Sequence, residues 1–261
     1  MISHPFHAIS AFVKAFPLLL SSRLRLFLLA PILANIALIV LVYMVAVSYM
    51  SVAVEGMMSY LPEWMSFLNW LFYLLLNIVL GLLMFYSFSV GVNILAAPFM
   101  AFLAEKVEEM QTGKQFNEDM SFSGIMLIIG RSLKREMQKL GYFLPRFIGL
   151  LVLSFVPVIN LVTPFLLMLF SAWMLALQYM DYAFDNNQVP FPDMRAALRE
   201  KPLLCWTFGF IITLGITIPV VNLFVMPVAV VAATLLWVQL YSERFVNYAD
   251  LLDQNRIERQ R

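Results

Sequence analysis

The sequence predicts an all-α integral membrane protein. It is expected to have two long transmembrane helices and two helical hairpins, broken by proline and asparagine, that partly penetrate the bilayer. Hydrophobic residues make up 62% of the chain and charged residues 13%, whereas a soluble domain is about half apolar and about a quarter charged. The apolar residues form long uncharged runs, and the 17 lysines and arginines lie outside those runs. A water-soluble core of this size could not bury such runs, so we predict a single membrane domain over residues 1–261.

The N-terminal segment is predicted to form a short interfacial helix over residues 5–20. Apolar residues recur there at helical spacing, namely Phe6, Ile9, Phe12, Val13, Phe16 and Leu20. Such a stripe is typical of a helix in the membrane interface, and equally of an amphipathic helix packed on the protein. Pro5, Lys14 and Pro17 interrupt the segment, so we do not expect a cleavable signal peptide.

Two uncharged runs predict the full transmembrane spans. Residues 26–54 are long enough, at about 1.5 Å per residue, to cross a hydrocarbon layer of about 30 Å. Residues 64–104 are about twice as long as one crossing needs and predict a long helix that continues into the cytoplasm. The following residues, 105–146, carry seven of the basic residues and are predicted to be a cytoplasmic helical stretch.

Prolines divide the remaining apolar runs, residues 147–180 and 202–242, into two helical hairpins. Near the middle of each run stands a similar string, Pro157-Val158-Ile159-Asn160-Leu161 with Pro164 and Pro219-Val220-Val221-Asn222-Leu223 with Pro227. Proline removes a backbone donor and asparagine favours turns, so each string predicts a break between two shorter helices. The sequence leaves open whether each hairpin spans the bilayer or enters and returns. Residues 243–261 are predicted to form a cytoplasmic tail.

The positions of the positive charges support the hairpins. The basic residues lie in four clusters, at the N-terminus, at 106–146, at 195–201 and at 244–261. If each hairpin run crossed the membrane once, the 195–201 cluster would fall outside, against the preference of lysine and arginine for the cytoplasm. A hairpin crosses twice or not at all, which places all four clusters in the cytoplasm.

Composition and motifs exclude several classes of protein. A net charge of +1, with no aromatics interleaved among the basic residues, argues against nucleic-acid binding. The chain has no phosphate-binding glycine loop, and its two histidines, His4 and His7, lack further metal ligands nearby. The single cysteine, Cys205, lies in an apolar run and is interpreted as a buried thiol. No catalytic pair lies within the uncharged runs, so we expect no enzyme, no cofactor and no metal.

Neutral polar residues inside the apolar runs are candidates for a transport pathway. Asn93, Asn160 and Asn222 could donate N–H groups to an anion without a fixed charge that would trap it. Broken backbone at membrane depth is tolerated where it lines a watery cavity, so the hairpin tips are the first place to look. Hydrogen bonding between helices is the alternative interpretation of these asparagines.

A second candidate site precedes the first span, at Ser21-Ser22-Arg23-Leu24-Arg25. Two guanidinium groups and two hydroxyls at a helix start suit an oxyanion, because arginine donates in a fork and a helix N-terminus adds its dipole. Anchoring of the chain at lipid headgroups is the alternative interpretation.

Several longer strings carry a more specific signal. They are Asn93-Ile94-Leu95-Ala96-Ala97-Pro98-Phe99, Leu103-Ala104-Glu105, Lys134-Arg135-Glu136 with Lys139-Leu140, Phe170-Ser171-Ala172-Trp173-Met174-Leu175-Ala176, Asp181-Tyr182 with Phe184-Asp185-Asn186, and Ile218-Pro219-Val220-Val221-Asn222-Leu223 followed by Met226-Pro227-Val228-Ala229-Val230. In order and spacing these strings resemble CysZ-type sulfate transporters. The resemblance implies a homo-oligomeric, multi-pass protein of the bacterial inner membrane that admits sulfate for cysteine synthesis, with two full spans and two partial hairpins.

The resemblance also implies particular site residues. In the family pattern a Gly-apolar-Arg-Arg stretch before the first span holds sulfate, and the aligned residues here are Arg23, Leu24, Arg25 and Leu26. Only Arg25 matches directly; we hypothesise that Arg23 replaces the second arginine, and that Leu24 and Ser22 complete the sulfate-binding set. Glu105 and Arg135 lie inside family-like strings and are predicted to be structural or gating residues.

The predicted function is channel-like entry of sulfate through an oligomeric helical pore in the lipid bilayer, with capture near Arg25. One alternative is a membrane scaffold or assembly protein without transport, in which residues 105–146 recruit a partner. Another is a transporter of a related oxyanion such as thiosulfate, whose size and charge overlap those of sulfate.

Overall fold

A computed structural model of the chain describes the backbone of residues 3–26, 29, 33, 36, 37, 40–45, 48, 49, 52, 56, 69–116 and 122–245. Side chains are described at these residues except at 3, 4, 69, 80, 83–98, 122–129, 132, 219, 220, 222 and 223. All regular structure in this part of the chain is helical, which confirms the all-α prediction.

The helices whose bounds are described are numbered here in chain order. They are α1 (Ser3–Leu19), α2 (Asn69–Thr112), α3 (Phe122–Ser154), α4 (Thr163–Asn186), α5 (Phe191–Arg199), α6 (Pro202–Ile216), α7 (Pro219–Leu240) and α8 (Ser242–Phe245), with a 3₁₀ turn at Ile159–Leu161. The chain divides into two compact units. Unit 1 comprises Met1–Leu24 with Met100–Arg261, and unit 2 comprises Arg25–Phe99.

Unit 1 is built around α4, which packs against α3, α5, α6 and α7. Three alanines, Ala172, Ala176 and Ala183, are among the buried residues of α4. Lipid gives helices no hydrophobic reason to associate, so close backbone approach through small residues is a common source of contact in membrane proteins. At Gly209 of α6, an added Cβ would overlap the backbone carbonyl of Ala172, which shows how closely α4 and α6 approach.

Helix α1 packs on α6 and α7 through alanines and turns its large apolar residues outward. The alanines of its inner face, at most 4% exposed, are Ala8, Ala11 and Ala15. Phe6 and Val13 are 67% and 68% exposed, whereas the ring of Phe12 lies 4.9 Å from that of Phe208. Exposed apolar residues in such a row need lipid or another chain to cover them.

The first proline–asparagine string lies in a turn between two helices. Helix α3 ends at Ser154, the 3₁₀ turn follows, and α4 starts at Thr163. Val158 has a φ of 73°, which β-branched residues rarely adopt. The buried Thr163 hydroxyl donates to the Ile159 carbonyl at 3.0 Å and fixes the start of α4. Asn160 therefore lies within the turn itself.

The second proline–asparagine string does not lie in the turn between its two helices. Helix α6 ends at Ile216 and α7 starts at Pro219, so the break precedes the string. Pro219 takes the first helical position, where its missing N–H costs nothing, and Pro227 lies inside α7. Two similar strings thus occupy different positions, because proline can both end one helix and begin the next.

Length and composition limit which helices could cross a membrane. Within the described part of the chain, α4 is the helix both long and apolar enough to do so, and Pro202–Ile216 and Phe224–Leu240 are apolar but shorter. Helix α2 has 44 residues, or about 66 Å at about 1.5 Å per residue. The layout of two spans and two partial hairpins in the bilayer stays a prediction.

Gly209→Ala should destabilise unit 1, because the new methyl group would force α4 and α6 apart. Overpacking of this kind costs about 1–3 kcal/mol, so we expect a lower thermal unfolding midpoint in detergent. A thiol-reactive dye can report unfolding, since the single cysteine, Cys205, is fully buried.

Gly149→Ala is the matched control for this substitution. A Cβ at Gly149 meets nothing within 4 Å, and alanine favours helices over glycine. The midpoint of Gly149→Ala should equal or exceed that of the parent. Equal midpoints for Gly209→Ala and the parent would contradict the close approach of α4 and α6.

Candidate functional site

The arginine mouth, consisting of Ser22, Arg23, Leu24 and Arg25, directly follows α1. Ser22 and Arg23 are exposed in a turn at the end of the first segment of unit 1, and Leu24 is fully buried. The Leu24 amide donates to the carbonyl of Ser21 at 3.1 Å, which closes this turn. Arg25 is exposed and is the first residue of unit 2.

The two arginines of the mouth carry charges that no described carboxylate neutralises. Among the residues that the structure describes, no Asp or Glu oxygen lies within 4.0 Å of Arg23 or Arg25. An exposed guanidinium without a carboxylate partner keeps its N–H donors available to an anion from solution. Leu24 contributes no donor; its burial anchors the turn that carries its charged neighbours.

The three pathway asparagines are only partly described. Asn160 is exposed in the 3₁₀ turn, and its backbone N–H donates to the Val156 carbonyl at 3.1 Å. Asn93 and Asn222 lie on the backbones of α2 and α7, and their side chains fall outside the described part of the chain. A shared pathway through these residues stays a prediction.

An ion network joins α3 to α4. Its members are Arg131, Arg135, Lys139, Asp181 and Asp185. Arg135 Nε lies 2.6 Å from Asp181 Oδ1, and Lys139 Nζ lies 3.0 Å from Asp181 Oδ2. Further along the helices, Arg131 Nε lies 3.6 Å from Asp185 Oδ2. The cations therefore lie on α3 and the carboxylates on α4, and each carboxylate faces at least one cation.

Arg135 extends the network to a third helix. The residue is 7% exposed, and its Nη1 donates to the Val189 carbonyl at 2.8 Å. Its Nη2 lies 3.6 Å from the Met194 sulfur, and its guanidinium carbon lies 5.5 Å from the centre of the Phe191 ring. A buried guanidinium is tolerated when its donors are used in this way. Arg135 of α3 therefore contacts α4 and the start of α5, and Glu105 is half-buried on α2. A structural or gating role for the two residues stays a prediction.

A second polar cluster ties the end of α2 to the end of α4. Asn187 Nδ2 donates to Glu108 Oε2 at 2.8 Å, and Lys114 Nζ lies 4.0 Å from Glu108 Oε1. Asn186 Nδ2 donates to the Ala101 carbonyl at 2.9 Å. Burial raises the pKa of Glu108 above its ordinary value of 4.5, although the Asn187 hydrogen bond and the Lys114 charge act to lower it.

The sequence identified Arg135 but missed its partners. Arg131, Arg135 and Lys139 are spaced four residues apart, as are Asp181 and Asp185, so each set lies on one helical face. Two such faces of opposite charge are the signal that could have predicted the network. Because cations and carboxylates meet within it, the network offers no unpaired charge comparable to that of the arginine mouth.

Comparison with known proteins identifies the family. A family model described as sulfate transporter CysZ/etoposide-induced protein 2.4 matches residues 11–227, which include the arginine mouth and the ion network. The chain belongs to this family. The resemblance drawn from the sequence strings is thereby confirmed, and the chain falls within a family of membrane transporters.

Curated CysZ relatives align with most of the chain. The sulfate transporter CysZ of Pseudomonas fluorescens (strain Pf0-1) is 45% identical over 222 residues, which cover 85% of this chain and 89% of that protein. The sulfate transporter CysZ of Pseudomonas syringae pv. tomato is 43% identical over 222 residues, which cover 85% and 88%. The sulfate transporter CysZ of Vibrio parahaemolyticus is 42% identical over 228 residues, which cover 87% and 92%.

Arg135→Ala should lower the unfolding free energy by about 3 kcal/mol, the usual cost of removing one partner of a buried ion pair. The substitution leaves Asp181 with Lys139 alone and leaves the Val189 carbonyl without its donor. The thermal midpoint in detergent measures the loss. Lys134→Ala is the matched control, because Lys134 lies on the same helix and is exposed. Similar losses for the two variants would refute the structural role of Arg135.

Glu108→Gln should remove one component of the pH dependence of stability. The folded-state pKa of Glu108 is raised, so the folded protein binds this proton more tightly than the unfolded chain. The parent should therefore lose stability as pH rises from about 4.5 through the folded pKa. Glutamine keeps an acceptor for Asn187 and carries no charge. The stability of the variant relative to the parent should therefore increase as pH rises through this range.

Thermal midpoints of both proteins across this pH range, measured in detergent, test the Glu108 prediction. Glu109→Gln is the control, because Glu109 pairs with Lys106 at 2.6 Å and is more exposed than Glu108. If the thermal midpoints of Glu108→Gln and the parent change with pH in parallel, ionisation of Glu108 does not destabilise the folded protein.

Proposed function

We propose that the chain is a sulfate permease of the bacterial inner membrane, which admits sulfate for cysteine synthesis. The observation that carries the proposal is membership of the CysZ family, with relatives named as sulfate transporters that align with 85–87% of the chain. A permease needs a place that attracts the anion and a route that releases it. The arginine mouth supplies the first, and the neutral asparagines are the candidates for the second.

Capture takes place at the arginine mouth. Arg25 is the residue that the resemblance aligns with an arginine of the family pattern, and Arg23 supplies a second guanidinium two residues earlier. Sulfate is a tetrahedral dianion, and guanidinium groups donate paired N–H bonds to such oxygens. The Ser22 hydroxyl adds a neutral donor, while buried Leu24 positions the turn. Because the two arginines lack described carboxylate partners, sulfate does not have to displace an internal ion pair.

Passage beyond the mouth is channel-like and uses neutral donors. Asn93, Asn160 and Asn222 solvate the anion in turn, and weak binding at each site lets the ion leave. The exposed 3₁₀ turn that carries Asn160 has backbone polar groups at a helix break, which need water or protein around them at membrane depth. A homo-oligomer of the chain surrounds these breaks and encloses the route.

The ion network maintains the shape of the cytoplasmic side of the permease. Arg135 and Asp181 hold α3 and α4 in register, and Glu105 lies on the segment of α2 that enters the same unit. In this role the network influences transport through the positions of α4 and α5 and does not bind sulfate itself.

Two other functions are compatible with parts of these observations. A scaffold protein would use the polar helices after residue 105 to bind a partner and would show no anion dependence. A permease for thiosulfate would share the mouth, because the two dianions have similar size and charge. Unlabelled thiosulfate that competes more strongly than unlabelled sulfate would favour the second alternative.

Uptake of radiolabelled sulfate into proteoliposomes that contain the purified full chain should exceed uptake into empty liposomes. Arg25→Gln should raise the sulfate concentration at half-maximal uptake by about tenfold or more, because a charge-assisted hydrogen bond contributes about 1.5–3 kcal/mol. The concentration of sulfate at half-maximal uptake is the quantity to compare.

Lys14→Gln is the matched control for the uptake experiment. Lys14 is an exposed cation of α1, so its removal changes the overall charge equally but leaves the mouth intact. If Arg25→Gln leaves the sulfate concentration at half-maximal uptake unchanged, the arginine mouth does not capture sulfate, although the protein still transports it. No uptake above empty liposomes, with insertion verified, would instead favour the scaffold.

A further inference from the structure

An open apolar cleft lies within unit 1, between α3, α4 and the start of α6. Its volume is about 400 Å³, within the range of about 300–1,000 Å³ that is typical of ligand sites. The cleft is lined by Tyr142, Leu166, Leu169, Phe170, Trp173, Arg199, Pro202 and Trp206. We call it the aromatic cleft. Neither the arginine mouth nor the ion network contributes a residue to it.

Two arginines lie over the Tyr142 ring, and a third, Arg199, lines the aromatic cleft; we call this part of the cleft its arginine end. The guanidinium carbons of Arg146 and Arg195 lie 3.8 Å and 4.8 Å from the centre of the Tyr142 ring, and Arg199 lines the cleft itself. Within the described part of the chain, no carboxylate oxygen lies within 4.0 Å of any of the three. The neighbouring carboxylate Glu200 pairs with Arg244 instead, at 2.7 Å.

Polar groups beside the cleft also lack partners. The Nε–H groups of Arg195 and Trp173 are buried, and neither has a hydrogen-bond acceptor among the described residues. Arg146 uses one donor on the Tyr142 carbonyl, at 2.7 Å, and retains its other N–H groups. Buried polar groups without partners are uncommon in proteins. The arginine end of the cleft is therefore rich in donors and in positive charge that the protein does not compensate.

One apolar wall of the cleft runs along α4. From its end toward the start of the helix, this wall consists of Trp173, Phe170, Leu169 and Leu166. At about 1.5 Å per residue, Leu166 lies about 10 Å from Trp173 along the helix axis. The site thus combines cationic groups with an extended apolar wall.

We propose that the aromatic cleft binds an anionic phospholipid of the surrounding membrane. The headgroup phosphate lies against Arg195 and Arg199, and one acyl chain follows the wall formed by Leu166 and Leu169. Basic pockets between membrane helices suit anionic headgroups, and tryptophan and tyrosine favour the level of the headgroups. A free inorganic anion would use only the arginine end, and a zwitterionic lipid would gain little from the uncompensated charge.

Fluorescence quenching by brominated phospholipids tests the proposal on the full chain in detergent micelles. Trp173 and Trp206 line the cleft and report its occupant. Brominated phosphatidylglycerol should quench the parent at a lower mole fraction than brominated phosphatidylcholine. Since each arginine near a lipid surface contributes about fivefold in affinity, Arg199→Gln should reduce this preference by about fivefold, and Arg195→Gln/Arg199→Gln should abolish it.

Two further variants separate the cleft from general lipid contact. Lys134→Gln removes an exposed cation elsewhere on α3 and should keep the full preference. Trp206→Phe removes one of the two tryptophans that line the cleft and should reduce the difference in quenching between the two lipids. Arg199 is exposed, so Arg199→Gln tests the charge without disturbing buried structure.

Three results would overturn the proposal. Equal quenching by the two lipids would show that the arginines do not select an anionic headgroup, and an unchanged preference in the double variant would place selection elsewhere. Displacement of brominated phosphatidylglycerol by soluble sulfate would assign the arginine end to a free oxyanion. Preference for phosphatidylglycerol that depends on the arginines and resists sulfate supports the lipid site.

Discussion

Asp181 is buried on α4, and the two cations that neutralise it, Arg135 and Lys139, both come from α3. A buried carboxylate without a partner is far more costly than a formed pair is favourable, so α3 and α4 must meet in the register that brings these charges together. Arg135 extends the constraint to α5 through the Val189 carbonyl. The close contact of Gly209 with Ala172 then places α6 against the helix that this network positions.

The arginines that the structure describes differ in whether a carboxylate lies beside them. Those of the ion network face carboxylates, so their charge is used within the protein and fixes helix positions. Arg23, Arg25 and Arg199 have no carboxylate partner among the described residues, so their charge remains available to something outside the chain. This difference in electrostatic environment separates the structural arginines from those proposed to meet an anion, whether sulfate at the mouth or a phospholipid at the aromatic cleft.

The sequence predicted the helical class and the family, but it placed individual residues less well. The strings around Asn160 and Asn222 look alike, yet Asn160 lies in a turn and Asn222 lies inside α7. Local sequence could not separate them, because proline is compatible with both the end and the start of a helix. The partners of Arg135 were missed because opposite charges on distant helices become informative only once the two helices are known to be neighbours.

By itself, the sequence determined that the chain is helical, that its apolar runs exceed what a water-soluble core could bury, and that it resembles the CysZ family. These properties follow from composition, periodicity and ordered strings, which are local. Only the tertiary structure decided which charges are neutralised. Arg135 and Arg199 are both arginines, but Arg135 lies 2.6 Å from Asp181, whereas Arg199 lines an apolar cleft. Electrostatic energy depends on the distance between groups, and for residues on different helices that distance is set by the packing of the fold.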